Sequence, residues 1–135
     1  MSYIKKVMNV KQKDGSVSDY NISLADTGDS SIIMTLDDGT MKNFSDDDLF
    51  KSLKLIRAFF EKKGAKVLCN GSRVDVYPSG MSRGMGKGRK AYVLILGKQA
   101  RINNLVDIFD YADASLIGTI EEQECFYKQW ITSLG

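Results

Sequence analysis

The chain has 135 residues, of which 43% are apolar and 27% charged, with a formal net charge of +2. That balance suits one globular domain with its own core and excludes a disordered chain, while so small a net charge does not single out a class of partner. No apolar run approaches the roughly 18 residues of a membrane span, and lysines interrupt Met1–Val10 where a signal peptide would be continuously apolar, so a cytoplasmic protein without membrane association is expected.

Three dipeptides punctuate the first half: Asp14-Gly15, Asp38-Gly39 and Asn70-Gly71. Each lies between apolar-containing runs, and each tolerates the positive φ of a type I′ turn, so three β-hairpins are expected. The first pairs Ile4–Gln12 with Val17–Leu24, and the second pairs Ile32–Leu36 with Thr40–Phe44; Ala25–Ser31 between them reads as a loop. In the third, a turn at Asn70-Gly71 sets Val67 opposite Val74 and Lys66 opposite Asp75, and Pro78 ends the second strand near Tyr77.

A helix follows the second hairpin. Ser45 is its expected N-cap, Asp46, Asp47 and Asp48 suit the positive first turn, and Phe44 and Leu49 sit at staple positions. Leu49, Leu53, Ile56 and Phe60 recur at helical spacing with Phe50 and Phe59, which makes this stripe a core face. Gly64 suits the left-handed position after the last turn. The run Ala91–Leu96 is continuously apolar and reads as a central strand buried on both faces. Leu105–Phe109 fits a short edge strand or a helical turn equally well. A second helix starts at the capping box Thr119/Glu122, and its apolar stripe of Phe126, Tyr127, Trp130, Ile131 and Leu134 is also expected in the core, whereas an exposed Trp130 would mark an interface anchor. The fold class is therefore α+β: an antiparallel sheet built from hairpins and packed with two α-helices, in a single domain.

Histidine is absent, which removes the commonest general base, the Ser-His and Cys-His nucleophile pairs and the usual zinc ligand. Two cysteines, Cys69 and Cys125, are too few for a disulfide framework. A non-enzymatic protein with no metal and no cofactor is expected; Asp37/Asp38 and Asp46–Asp48 are explained by a turn and a helix start.

The segment that stands out is 78–90, Pro-Ser-Gly-Met-Ser-Arg-Gly-Met-Gly-Lys-Gly-Arg-Lys, which joins two predicted strands. Long glycine-rich loops on a rigid scaffold often carry function. Its cations Arg83, Lys87, Arg89 and Lys90 are candidate partner contacts. The spacing is not that of a P-loop, since Gly88 stands where Ser or Thr is required, and Ser79 and Ser82 have no histidine to activate them. Residues 73–101 hold seven cations against one acid, whereas 107–124 hold six acids and no cation. The basic block beside Tyr77 and Tyr92 admits a nucleic-acid or phosphate-binding reading. The acidic residues Asp107, Asp110 and Asp113 form a second candidate contact set for a protein partner. Alternatively, the two blocks neutralise each other across the fold.

The stretch Arg73-Val-Asp-Val-Tyr-Pro-Ser-Gly-Met-Ser-Arg83, followed by Gly88-Arg-Lys-Ala-Tyr92 and the closing Gly118-Thr-Ile-Glu-Glu-Gln-Glu124, resembles small bacterial immunity proteins of contact-dependent and polymorphic toxin systems. The resemblance is one of size, compartment and α+β composition over the whole chain, and it transfers no functional residue. It implies a stoichiometric inhibitor that binds a cognate toxin domain.

Overall fold

Alternation of apolar and polar residues builds the first sheet. In the computed structural model, which describes residues 3–25, 30–80 and 87–135, strands β1 (Tyr3–Lys11) and β2 (Val17–Ala25) pair antiparallel from Tyr3↔Ala25 to Lys11↔Val17. Strands β3 (Ser31–Thr35) and β4 (Met41–Ser45) form a second hairpin, which joins the first through β2 and β3. With β5 (Lys66–Val67) added beside β1, the sheet has five strands in the order β4-β3-β2-β1-β5. Met8, Val10, Tyr20, Ile22, Leu24, Ile32, Met34 and Phe44 are buried on one face, while Lys5, Val7, Asp19 and Asn21 between them are exposed. Part of the loop expected over Ala25–Ser31 lies outside the described residues.

Two of the three expected hairpins are present, but their turns are not type I′. Gly15 N–H donates to the Gln12 carbonyl at 2.9 Å and Gln12 N–H to the Ser16 carbonyl at 2.7 Å; the Leu36–Thr40 turn repeats this pattern. Only the glycines, Gly15 at φ +91° and Gly39 at φ +85°, take positive φ in these turns. This is the three-residue hairpin loop ending in a left-handed glycine. Asp14 and Asp38 serve differently: each carboxylate accepts from the backbone and hydroxyl of the residue two places on, Ser16 or Thr40, at 2.6–3.0 Å.

Helix α1 (Leu49–Glu61) lies on the apolar face and buries Leu49, Phe50, Leu53, Ile56 and Phe60. Its N-cap is Asp48, whose side chain accepts from Lys51 N–H at 2.8 Å, and not Ser45. Ser45 is the last residue of β4, opposite Ser31, so its backbone belongs to the sheet. Gly64, at φ +72°, ends the helix as expected, with Ala65 N–H bonded back to the Phe60 carbonyl at 3.0 Å.

The expected third hairpin does not form. Asn70–Ser72 is a 3-10 turn whose backbone bonds go to a distant segment, Asn70 N–H to the Asp110 carbonyl and Gly71 N–H to the Ile108 carbonyl. Gly71 is needed for close approach: a Cβ there would overlap Leu53 Cδ2 and lie 3.0 Å from Ile108 Cβ. The chain beyond Gly71 leaves for a second sheet of three strands, β6 (Val76–Tyr77), β7 (Lys90–Val93) and β8 (Leu105–Asp107), in the order β6-β7-β8. Asp75 therefore pairs with Arg73 and not with Lys66. β6 does end at Tyr77, and Leu105–Asp107 is an edge strand. β7 is the central strand, yet it stops at Val93; Ala91 is buried, whereas Ile95 and Leu96 beyond it are about half exposed (47% and 50%). One apolar core includes residues of both sheets and α1, from Val10 to Val76, Ala91 and Ile108.

Helix α2 (Ile120–Ser133) begins at the expected capping box, with Thr119 and Glu122 bonded reciprocally at 2.8 and 3.0 Å. Its apolar stripe is not in the core. The one buried residue of α2 is Gln123, 1% exposed. Its side-chain amide donates to the carbonyls of Gly71, Arg73 and Val76, each at 2.9 Å, and its oxygen accepts from Arg57 Nη1 at 2.6 Å. Arg57, on α1 and 3% exposed, also donates to the Gly71 carbonyl at 3.2 Å and the Gly118 carbonyl at 3.1 Å. Burial lowers its pKa, and the carboxylates of Glu61 and Glu124 partly offset that.

Arg57 and Gln123 thus join α1, the Gly71 turn, β6 and α2 through one buried polar cluster. Removing Arg57 takes the donor from Gln123 Oε1 and the Gly118 carbonyl, and removing Gln123 takes a donor from the Arg73 and Val76 carbonyls and the acceptor from Arg57 Nη1, at about 1–3 kcal/mol for each unsatisfied group. Arg57→Ala and Gln123→Ala should each lower unfolding free energy in urea by at least about 2 kcal/mol. Combined, the two should fall short of additive by about 0.5–3 kcal/mol, because they disrupt the same bonds. Full additivity would show two independent sites.

Candidate partner-binding surface

The sequence-predicted contact residues occupy three different settings. Arg83 lies outside the described residues. Lys87 is exposed, with its backbone at φ +55°, and its carbonyl accepts from Leu49 N–H at 2.6 Å. Gly88 follows at φ +78° and sits so close to the start of α1 that a Cβ would come 2.9 Å from Asp48 Oδ1. This end of the 78–90 segment is therefore fastened to the scaffold.

Arg89, Lys90 and Asp107 come together across the β7/β8 ladder, where Lys90 is opposite Asp107. Arg89 Nε lies 3.0 Å and Lys90 Nζ 3.9 Å from Asp107 Oδ2, while Asp107 Oδ1 accepts from Phe109 N–H at 2.9 Å. The basic and acidic blocks neutralise each other at this point, and the Asp107 side chain is only 10% exposed. Asp113 is exposed but committed locally: it accepts from Ser115 Oγ and N–H, which hold its carboxyl below its usual range. Asp110 is exposed, and its carbonyl closes the Asn70 turn. Lys87, Asp110 and Asp113 make no ion pair among the described residues.

A different surface does form, from residues read in the sequence as core. An aromatic series runs outward from buried Phe50: Tyr77 meets its edge at 5.3 Å, Tyr127 stacks on Tyr77 at 3.8 Å and 10°, and Trp130 follows at 6.1 Å. Tyr77 Oη donates to Glu124, which also pairs with Lys54 at 2.7 Å. Beyond Tyr127 the helix is held by two polar bonds. Trp130 Nε1–H donates to the Lys98 carbonyl, and Gly97 N–H donates to Ser133 Oγ, both at 2.8 Å.

Those bonds seat the Ile95–Lys98 turn, closed by Lys98 N–H to the Ile95 carbonyl with Gly97 at φ +80°, against the last turns of α2. The result sets Ile95, Leu96, Ile131 and Leu134 at the surface, between 40% and 50% exposed, around a half-buried Trp130. Tyr127, Trp130, Ile131 and Leu134 fall at i, i+3, i+4 and i+7, one face of the helix. Three exposed cations rim the patch. Lys98 and Arg101 share a groove with Ile95, and Lys128 is one turn before Ile131. None of the three makes an ion pair among the described residues.

A cleft of about 480 Å³ between α1 and the start of α2 has Arg57 on its wall, with Glu61, Glu121 and Glu122 beside it. Three guanidinium bonds in that wall already hold the scaffold together, so its chemistry is structural. Cys69 is buried and its thiol is pushed up by that burial, which keeps it from acting as a thiolate.

Neither the protein-family models nor the curated proteins searched contain a match to this chain.

The two cation groups should behave differently on removal. Asp107→Ala strips partners from Arg89 and Phe109 N–H and should lower stability by about 1–3 kcal/mol. Lys98→Ala, Arg101→Ala and Lys128→Ala should each stay within about 0.5 kcal/mol of the parent, as solvated surface changes do. Thermal or urea unfolding of the four variants checks both statements.

Proposed function

We propose that this chain is a non-catalytic protein-binding domain, and that its biological setting is that of a cytoplasmic bacterial immunity protein that neutralises a cognate toxin by stoichiometric binding. The observation that carries the binding reading is α2. Only Gln123 of this 14-residue helix is buried, and its aromatic and aliphatic stripe is left half uncovered beside Ile95 and Leu96. A contiguous apolar patch with a polar rim marks an interaction site on a protein surface, and a partly covered tryptophan at its centre is a typical anchor. The immunity setting rests on the sequence resemblance, on the lack of histidine, and on a fold held by a rigid polar cluster that suits a pre-organised inhibitor. No helix among the described residues is long and apolar enough to cross a membrane.

The test is to identify the genes flanking this one and to co-express this chain with any toxin domain they encode. The parent should restore growth and elute with the toxin as one complex. Trp130→Ala combined with Ile131→Ser and Leu134→Ser should lose both effects while retaining the far-ultraviolet circular dichroism of the parent. Rescue undiminished by that triple variant would remove α2 from the interface.

A further inference from the structure

We infer that the α2 face takes an acidic amphipathic segment of its partner: an apolar ridge flanked by Asp or Glu. This rests on the proposed protein-binding role and names the chemistry of the partner.

The charge around the patch is one-sided. Residues 94–106 contribute Lys98 and Arg101, residues 125–135 contribute Lys128, and neither segment contains an acid. Lys98 and Arg101 line one groove with Ile95, the Lys98 carbonyl accepts from Trp130, and Lys128 is three residues before Ile131 on α2, so the charge beside these apolar residues is positive. By contrast, Asp107 draws Arg89 and Lys90 into internal pairs, and Glu124 draws in Lys54. Lys98, Arg101 and Lys128 are in no such pair among the described residues.

Three kinds of occupant meet this surface differently. A second copy of the chain, docked through the same face, would bring two positive rims together, which like-charge repulsion disfavours. Nucleic acid would use the cations and could stack on Trp130 and Tyr127, but the exposed aliphatic side chains offer no stacking plane and would be covered by polar backbone. An amphipathic protein segment satisfies both parts: its ridge covers the aliphatic residues as a helix in a groove does, and its carboxylates meet Lys98, Arg101 and Lys128.

Trp130 is the only tryptophan in the chain, so its fluorescence reports the site directly. Two synthetic amphipathic helical peptides without tryptophan, sharing one leucine ridge and differing only in Glu or Lys flanks, are titrated into the full chain at low and moderate salt. The Glu-flanked peptide should shift the emission, bind at least tenfold more tightly than the Lys-flanked one, and weaken as salt rises. The triple variant Lys98→Glu, Arg101→Glu, Lys128→Glu should invert that preference. Equal or tighter binding of the Lys-flanked peptide would overturn the acidic assignment while leaving a protein-binding face in place. If neither peptide moves Trp130 and random oligonucleotides do, with salt-sensitive affinity, both the inference and the protein-binding role fail.

Discussion

The bond between Arg57 and Gln123, with the Gly71 carbonyl accepting from both, is the constraint on which the arrangement of this molecule depends. A guanidinium and a side-chain amide in a protein interior are costly unless their bonds are completed. Here they are completed by backbone carbonyls from four places in the chain: Gly71, Arg73, Val76 and Gly118. Those carbonyls belong to the irregular stretch between the two sheets, to the first residue of β6 and to the approach to α2. The cluster therefore fixes the chain where neither sheet nor helix bonding can do so.

That mode of attachment leaves α2 in an unusual state for an amphipathic helix. Helices normally dock by covering their apolar stripe. Here the anchor is polar and lies in the first turn, supported by the capping box and by Ile120 N–H bonded to Glu61 at 2.9 Å. The stripe is carried away from the core along the aromatic series and ends beside the Ile95–Lys98 turn. An apolar surface held open in this way loses nothing of the fold's own core, which Phe50, Leu53, Ile56 and Phe60 fill from α1. The same geometry connects the scaffold to its proposed role: a rigid seat for a helix whose outer face is available to another protein.

Local signals in the sequence were sufficient for the two long hairpins, α1, the capping box of α2 and the α+β class. Each is set by residues close together: Asp-Gly turns, period-two alternation, a stripe at helical spacing, Thr119 with Glu122. The features that were missed depend on distant partners. Asn70-Gly71 reads as a turn, but the N–H groups of both residues bond to 108–110 and Gly71 is fitted between Leu53 and Ile108. Ser45 reads as a cap until β3 claims it. Arg57 sits in the helical stripe between Ile56 and Phe60 without being apolar, and Gln123 sits among glutamates, so neither reads as buried. One signal was present: Arg57 lies one turn after Leu53 and one before Phe60, at a spacing that places a charge on the buried side. Charge alone does not separate the local settings of the candidate contact residues. Arg89, Lys90 and Asp107 are mutually paired, Asp113 caps its own turn, and the cations beside the exposed patch, Lys98, Arg101 and Lys128, were not singled out. Burial pattern, which a single sequence does not supply, separates a core stripe from an interface stripe of the same composition.

Hydrogen exchange across α2 in Gln123→Leu tests the central claim most directly, because leucine keeps the bulk of the side chain and removes only its bonds. If the polar cluster seats the helix, the α2 amides should lose most of their protection while those of β1–β4 keep theirs. Unchanged or greater protection in α2 would mean that apolar packing holds the helix, and the cluster would not be what leaves its outer face free.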